Sequence, residues 1–246
     1  MKVSGFTFIR NAILYDYPIV EAITSILPIC DEFIVAIGHS DDQTTALINS
    51  INSPKIKIIP TVWDDTLRAG GRVLAVETDK AFAAIASDSD WCFYIQGDEC
   101  VHEKYLPIIK EAMELNLLDK RVEGLLLNYL HFYGSYDFIG TARKWYRNEI
   151  RIIRNNKNIS SFRDAQGFRI DNRKLNVKKI AAAVYHYGWV KHPEKQQAKA
   201  ETFNKLWHSD QWVEKNIPKV SGFDYSNVDG LKRFTESQPA VMKNRI

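Results

Sequence analysis

Short apolar segments alternate with segments of helical periodicity over roughly the first 115 residues, and this alternation constrains the fold more than any other feature. Residues 32–38 are apolar almost throughout, which is typical of a strand buried on both faces of a parallel sheet. Strands that alternate with helices predict an α/β fold with helices on both faces of the sheet and right-handed crossovers. The predicted strands are 3–9, 32–38, 55–60 and 91–95, and the predicted helices are 17–27, a segment ending at 51, 72–86 and 103–117.

The pattern changes after Val122. Strands are predicted at 124–130, 149–154 and 180–187, with an aromatic-rich connection between the first two. In 149–154 the charged residues Arg151 and Arg154 alternate with isoleucines, which indicates a half-exposed strand. Residues 192–215 have the spacing of one amphipathic helix, and the polar tail from Pro218 is open to interpretation as a helix, an arm or a partly disordered segment. Since no linker or repeat interrupts the chain, we expect a single domain over 1–246.

Composition narrows the class of protein. Hydrophobic residues make up 45% of the 246 residues, enough for a sizeable core. The longest apolar runs fall well short of the ~20 residues that a membrane span needs, and the N-terminus lacks the pattern of a secretory signal. The three cysteines have no CxxC spacing, so neither a disulfide framework nor a zinc motif is indicated. A cytoplasmic location is expected.

Charge is unevenly distributed along the chain. Residues 143–195 hold 14 Lys and Arg against 4 Asp and Glu, a net of +10, whereas the remainder has a net charge of −7. This asymmetry favours an anionic ligand on the C-terminal half, with a merely solvated basic face as the alternative. No recognition-helix, zinc-finger or ribonucleoprotein motif is present in the sequence, so a nucleic-acid partner is not expected.

Two adjacent carboxylates, Asp98 and Glu99, follow the predicted strand 91–95 almost at once. Ligands of open α/β sheets bind at the carboxyl ends of strands. Two carboxylates at such an edge are readily explained if they bind a divalent cation, which prefers hard oxygen ligands. A cation of this kind usually binds a phosphate group as well. The alternative is structural, with the two acids capping the helix predicted from Glu103.

Four stretches in this order resemble a family 2 glycosyltransferase with the GT-A fold. They are FIRNA at 8–12, GHSDDQT at 38–44, YIQGDE at 94–99 and VYHYG at 184–188. The third is similar to the family's Asp-x-Asp-Glu metal motif, except that Gln96 stands where the first Asp is usual and cannot supply a charged ligand. The Asp that often follows the second strand is also missing, which bears on recognition of the donor's base.

The resemblance implies a GT-A type, Rossmann-like, mostly parallel sheet with helices on both faces and a C-terminal helical extension. Residues 1–120 would be the nucleotide-sugar-binding half, 121–190 the acceptor half and 191–246 the extension. The implied activity is transfer of a sugar from a nucleotide diphosphate sugar to an acceptor hydroxyl, inverting and dependent on a divalent cation (Mn²⁺ or Mg²⁺), in cell-envelope or polysaccharide synthesis. The acceptor would be a saccharide or a lipid-linked molecule, and peripheral contact with a membrane surface is compatible with the basic half.

The resemblance also implies roles for individual residues. Asp98 is the first expected metal ligand and His186 the second, with a core histidine as the alternative for His186. Glu99 either binds the metal or orients neighbouring groups. A guanidinium is suited to donor phosphate, and Arg72 is expected there, with Arg68 or a plain surface arginine as alternatives. The remaining expected donor-binding residues are Arg10, Asn11, Ser40, Asp42 and Gln96.

Transfer to a hydroxyl also needs a carboxylate base. The resemblance assigns this role to Asp164, with Asp137 and Asp171 as alternatives. Arg163 is expected to lower the pKa of Asp164 and keep it ionised, although an ion pair without catalysis would have the same appearance. Trp145, Tyr146 and the aromatic cluster at 129–136 offer flat faces on which an acceptor sugar could stack, unless they form a second layer of core.

Two other functions fit part of the pattern. A nucleotidyltransferase shares the nucleotide-binding layer, but the Gly-rich basic loop expected after its first strand is replaced here by Arg10-Asn11-Ala12. A non-catalytic relative that binds a sugar or nucleotide is compatible with Gln96.

Overall fold

The predicted alternation of strands and helices is present in the structure, a computed structural model that describes residues 1–67, 69–217, 220–226 and 228–246. The α/β prediction is therefore confirmed. Arg68, the alternative to Arg72, and Pro218, the start of the predicted tail, lie outside the described residues. The first strands are β1 (Val3–Ile9), β2 (Glu32–Gly38), β3 (Ile56–Thr61), β4 (Trp91–Tyr94) and β5 (Glu99–Val101), and the first helices are α1 (Ile19–Ile26), α2 (Thr44–Asn49), α3 (Arg72–Ala83) and α4 (Leu106–Leu115).

Strands β3, β2, β1 and β4 lie side by side in this order and are parallel. Side chains of β2 alternate between two cores. Phe33 and Val35 pack in the core that α1 and α4 cover, whereas Ile34 packs on the other face with side chains of α3. Burying each such apolar side chain contributes about 1.5–3 kcal/mol to the stability of the fold. Because both faces of β2 are buried, apolar residues are needed along the whole strand. Helices on both faces are thus confirmed.

The second half continues the same sheet. Strand β8 pairs antiparallel with both β4 and β6, while β12 pairs parallel with β6 and antiparallel with β5. The expectation of a half-exposed strand at 149–154 is wrong, because β8 lies inside the sheet and Arg151 is only 1% exposed. The remaining strands are β6 (Gly124–Tyr133), β7 (Ser135–Gly140), β8 (Asn148–Arg154), β9 (Ile159–Phe162), β10 (Gly167–Ile170), β11 (Arg173–Lys174), β12 (Val177–Trp189) and β13 (Leu231–Arg233).

The C-terminal part packs back onto the sheet. Two helices, α5 (Pro193–Asn204) and α6 (Asp210–Asn216), replace the single helix predicted at 192–215. A terminal 3₁₀ turn buries Met242 against Cys100, and Arg245 bonds Glu21 of α1 at 2.8 Å, so this segment is an ordered arm. None of the helices in the described ranges has the length and apolar character needed to cross a bilayer; the longest have 12 residues.

Candidate active site

A cavity of about 1230 Å³ lies at the carboxyl ends of β1 and β4, and α5 covers it. Strand ends of a parallel sheet present loops rather than paired backbone, so polar side chains collect there. Of the residues predicted from sequence, the cavity is lined by Arg10, Asn11, Gln96, Asp98, Asp164 and His186. Four others do not line it, namely Ser40, Asp42, Arg72 and Glu99.

Ser40 and Asp42 hold the loop after β1 in place, which corrects their expected role in donor binding. The Ser40 hydroxyl accepts a hydrogen bond from the Asn11 backbone N–H at 3.1 Å. Asp42 Oδ2 accepts from the backbone N–H groups of Ile13 and Leu14 at 2.9 and 2.7 Å. Burial would raise the pKa of Asp42, but these hydrogen bonds and those from Thr44 lower it overall. Arg72, which was expected to contact the donor phosphate, is exposed at the start of α3 and does not line the cavity, as the surface alternative predicts.

Glu99 is fully buried and its carboxylate is already satisfied. Arg151 donates three hydrogen bonds to its two oxygens, at 2.7, 2.9 and 3.2 Å, and the Tyr129 hydroxyl donates another. The Gln96 backbone N–H donates one more at 3.1 Å. Of the two roles open to Glu99, orienting its neighbours agrees with this geometry and metal ligation does not. The capping alternative is also wrong, because His102 caps the turn at 103 by accepting from the Lys104 N–H.

Asp98 lies in the cavity wall beside two basic side chains. Its Oδ2 is 3.1 Å from Lys199 Nζ and 3.7 Å from His186 Nε2. Burial would raise the pKa of Asp98, yet Lys199 and His186 together lower it well below its usual range. The carboxylate is therefore ionised, and its charge is balanced by Lys199.

The fit of a divalent cation depends on these same residues. Within the described ranges, no group of three or more His, Cys, Asp and Glu side chains is arranged to hold a metal ion. Because Glu99 is engaged elsewhere, two of the three predicted metal ligands remain, Asp98 and His186. The Lys199 ammonium already contacts Asp98 Oδ2, an oxygen that would have to bind the metal. Lys199 already neutralises the Asp98 carboxylate, and its positive charge would repel a doubly charged ion bound to the same oxygen. The predicted metal site of Asp98, Glu99 and His186 is not formed, because this arrangement fits an ammonium and not a divalent ion.

Two further carboxyl groups, Asp164 and Glu149, line the cavity. The expected net lowering of the pKa of Asp164 is wrong. Burial raises this pKa and outweighs the lowering effect of Arg163. Arg163 and Arg169 lie instead over the ring of Phe162, at 5.2 and 4.2 Å. Burial also raises the pKa of Glu149, to about 7, against the opposing effect of Arg151.

The alternatives Asp137 and Asp171 are exposed and do not line the cavity. Asp164 and Glu149 both line the cavity, where their carboxyl groups can meet a bound hydroxyl group. A carboxyl with a pKa raised towards neutrality is a stronger base once ionised.

The aromatic residues divide between the cavity and the core. Tyr133, Trp145 and Tyr146 line the cavity, whereas Phe132 packs in the core with its ring 4.9 Å from that of Tyr187. His131 also lines the cavity, with its Nδ1 3.1 Å from His186 Nδ1. Burial and the neighbouring His186 lower the pKa of His131 to about 3, so this ring is neutral.

Sequence reasoning missed the importance of three charged residues. Lys199 is one of two lysines on α5 and nothing in its local sequence distinguishes it from Lys195. Glu149 and Arg151 did carry a signal, because charges within an otherwise apolar strand are expensive to bury unless they are paired.

Comparison with known proteins gives only distant likenesses. No protein-family model and no curated protein matches the chain. It is similar to the crystal structure of S. aureus TarS, with 16% identity, a TM-score of 0.48, and coverage of 82% of this chain and 39% of TarS. It is also similar to the structure of S. aureus TarS 1-349 in complex with UDP. The identity there is 14%, the TM-score is 0.47, and the match covers 90% of this chain and 68% of that one.

Glucosyl-3-phosphoglycerate synthase from Mycobacterium tuberculosis, in complex with Mn²⁺, UDP and phosphoglyceric acid, gives 18% identity, a TM-score of 0.36, and coverage of 53% of this chain and 43% of that one. The chain thus spans well under two thirds of the first TarS structure and of the synthase. Since every TM-score is below 0.5, we take no residue role from these likenesses.

Proposed function

We propose that this protein transfers a sugar from a nucleoside diphosphate sugar to an acceptor hydroxyl. The observation that supports it most is that one cavity is lined both by groups suited to a diphosphate and by carboxyl bases. Lys199, Asp98 and His186 lie together at the strand ends, where a phosphate is expected, and Asp164 and Glu149 line the same cavity. The four sequence stretches that resemble GT-A glycosyltransferases of family 2 agree with this assignment.

The nucleotide is proposed to lie along the loop after β1. Asn11 there exchanges two hydrogen bonds with Asp41, at 2.7 and 3.2 Å, which stiffens the loop edge. Arg10 is held by Asp65 at 2.9 Å and lies over the Trp63 ring, so its guanidinium is partly fixed before a ligand arrives. Gln96 donates to the Ala165 carbonyl at 3.2 Å, linking the donor part of the cavity to the segment that carries Asp164.

The acceptor is proposed to bind between Asp164 and the cavity aromatics. Rings of Trp145 and Tyr146 present flat apolar faces on which the C–H face of a sugar can pack. Asp164, once ionised, takes the proton of the attacking hydroxyl as the new glycosidic bond forms. Attack from the side opposite the departing diphosphate gives inversion, the outcome we propose.

The natural acceptor is proposed to be a saccharide or a lipid-linked molecule of cell-envelope or polysaccharide synthesis. The excess of basic residues at 143–195 suits a phosphorylated acceptor or a peripheral contact with an anionic membrane surface. Transfer to a lipid-linked or phosphorylated saccharide, compared with the same saccharide lacking the phosphate, tests this preference.

A panel of ligands tests the reaction class. We expect one nucleoside diphosphate sugar to raise the melting temperature of the full chain, because a ligand that binds only the native state stabilises it by mass action. The same sugar nucleotide should be consumed, with release of nucleoside diphosphate, when an acceptor is present. A preference for nucleoside triphosphates would indicate a nucleotidyltransferase, and binding without turnover on any acceptor would indicate a non-catalytic relative.

A further inference from the structure

The geometry points to Lys199 as a built-in cation that neutralises the departing diphosphate in place of a divalent metal ion. This inference rests on the proposed function and names the group that stabilises its leaving group. It predicts that donor binding and transfer proceed in the absence of any divalent cation.

The position of Lys199 is fixed by several contacts. Its Nζ bonds Asp98 Oδ2 at 3.1 Å and the Gly188 carbonyl at 3.3 Å. The same ammonium lies over the rings of Tyr17 and Phe203, at 5.0 and 5.6 Å from their centres. Only 11% of the side chain is exposed, and it lines the cavity. A cation held in this way is preorganised, so little reorganisation is needed when negative charge develops beside it.

Local charge favours an anion over a second cation. Glu99 is compensated by Arg151 and Gln96 is neutral, and Asp98 is the carboxylate in contact with Lys199. Besides Lys199, the amine of Lys191 is buried nearby, bonds the Asp16 carbonyl and lies 4.6 Å from the centre of the Tyr17 ring. Burial and the neighbouring Lys199 lower the pKa of Lys191 to about 7. An entering diphosphate would favour the charged form of Lys191 beside Lys199, whereas a divalent ion would oppose it.

The chemical step balances without a metal. The bond between the sugar's anomeric carbon and the diphosphate oxygen breaks, and its electron pair stays on that oxygen. The acceptor oxygen forms a bond to the same carbon, and its proton passes to the Asp164 carboxylate. Lys199 keeps its protons and donates one hydrogen bond to the diphosphate oxygen as charge accumulates there.

Calorimetry of the wild-type chain with UDP and with GDP, in excess EDTA and in excess Mn²⁺, tests the inference directly. We expect the better nucleotide to bind with dissociation constants that agree within about threefold in the two conditions. A loss of about tenfold or more in EDTA that Mn²⁺ restores would overturn the role of Lys199 and leave the proposed function standing. Absence of binding in both conditions, extended to the other nucleoside diphosphates, would overturn the proposed function itself.

Substitution separates the charge of Lys199 from its bulk. Lys199→Met keeps most of the side-chain volume and should weaken nucleoside diphosphate binding by about tenfold to a hundredfold, the usual cost of one charge-assisted hydrogen bond. Lys199→Arg should restore most of this loss. Lys195→Met, an exposed lysine one turn earlier on α5, is the matched control and should bind as the wild type does. Equal binding by Lys199→Met and Lys195→Met would refute the inference.

Electron paramagnetic resonance of Mn²⁺ gives a second readout, first on the wild-type chain. Mn²⁺ with the wild-type chain should give the same spectrum as Mn²⁺ alone, and with UDP present it should give the spectrum of Mn²⁺ and UDP without protein. A protein-bound signal that disappears in Asp98→Asn would show that Asp98 holds a metal, contrary to the inference.

Discussion

Arg151 donates hydrogen bonds to both oxygens of Glu99, from Nε to Oε2 at 2.9 Å and from Nη2 to Oε1 at 2.7 Å, with both side chains almost completely buried. The pair joins β8 to the start of β5 and thereby fixes the backbone immediately next to Asp98. Removing both charges from water is costly, and the bidentate geometry offsets that cost only while both partners are present. The integrity of the cavity wall therefore depends on this pair, of which Arg151 lines the cavity and Glu99 does not.

Arg151→Met should destabilise the protein by about 3–5 kcal/mol, because it leaves the Glu99 carboxylate buried without its partner. Urea unfolding measures the difference as a lower midpoint with an unchanged slope. The control is Arg121→Met, which removes an exposed arginine paired with Asp119 and should leave the midpoint almost unchanged. Similar midpoints for the two variants would contradict the structural importance of the Glu99–Arg151 pair.

Glu149→Gln should stabilise the protein at neutral and alkaline pH. The folded-state pKa of Glu149 is about 7 against an ordinary value of 4.5, so the native state binds more protons than the unfolded state between these values. The free energy of unfolding of the wild type therefore falls as pH rises from 4.5 to 7, by up to roughly 3 kcal/mol, and Glu149→Gln lacks this fall.

Urea unfolding at pH 4 and at pH 8 measures this effect. The two proteins should have similar stability at pH 4, and the variant should be more stable at pH 8. Glu114→Gln, the same substitution at an exposed position on α4, gives the reference for the change of side chain itself. A difference between Glu149→Gln and wild type that is the same at both pH values would contradict the raised pKa.

The parallel half could be predicted from sequence because its signals are local. A strand buried on both faces must be apolar throughout, and β2 meets this condition along its length, so composition alone identifies it. Strand β5 has no such signal. It is three residues long and exists because β12 pairs with it, an interaction with residues about eighty positions away. Such long-range pairing leaves no periodicity in the short segment itself.

The position of the site could be predicted from the sequence, whereas the roles of its residues could be predicted only in part. Residues that follow β1 and β4 do line the cavity, because strand ends of a parallel sheet meet at one edge. The partners of those residues were not predictable. Adjacent carboxylates Asp98 and Glu99 point to opposite surroundings, one towards Lys199 of α5 and the other towards Arg151 of β8. Only the packing of those distant elements decides which carboxylate is available to a ligand.

Asp164→Asn should leave nucleoside diphosphate binding intact and lower the turnover number by about 100-fold to 10,000-fold, because it removes the proposed base without removing a donor contact. Stopped assays of transfer, alongside calorimetric titration of the nucleotide, separate the two effects. Asp171→Asn, an exposed carboxyl away from the cavity, is the control. Should Asp164→Asn retain turnover while Glu149→Gln loses it, the base is Glu149, and the rate should then rise with pH around 7.

Gly188 occupies a position where a side chain has no room. A Cβ there would lie 2.5 Å from His186 Nε2 and 2.7 Å from Asp98 Oδ2. The residue falls where the pairing of β12 with β6 shifts register between His186 and Trp189, an irregularity that turns its backbone towards the cavity. Its carbonyl also accepts the hydrogen bond from Lys199, so this glycine contacts Lys199 and lies against Asp98 and His186.

Gly188→Ala should therefore destabilise the protein by about 1–3 kcal/mol and abolish nucleoside diphosphate binding, because the methyl group must push Asp98 and His186 apart. Gly167→Ala is the matched control. A Cβ at Gly167 would meet Glu149 Oε2 at 3.7 Å, an ordinary contact, so this variant should bind the nucleotide as the wild type does. Urea unfolding and nucleotide titration on both variants check the two effects separately. If Gly188→Ala binds nucleotide with unchanged affinity, the close arrangement of Asp98, His186 and Lys199 is not what the ligand recognises.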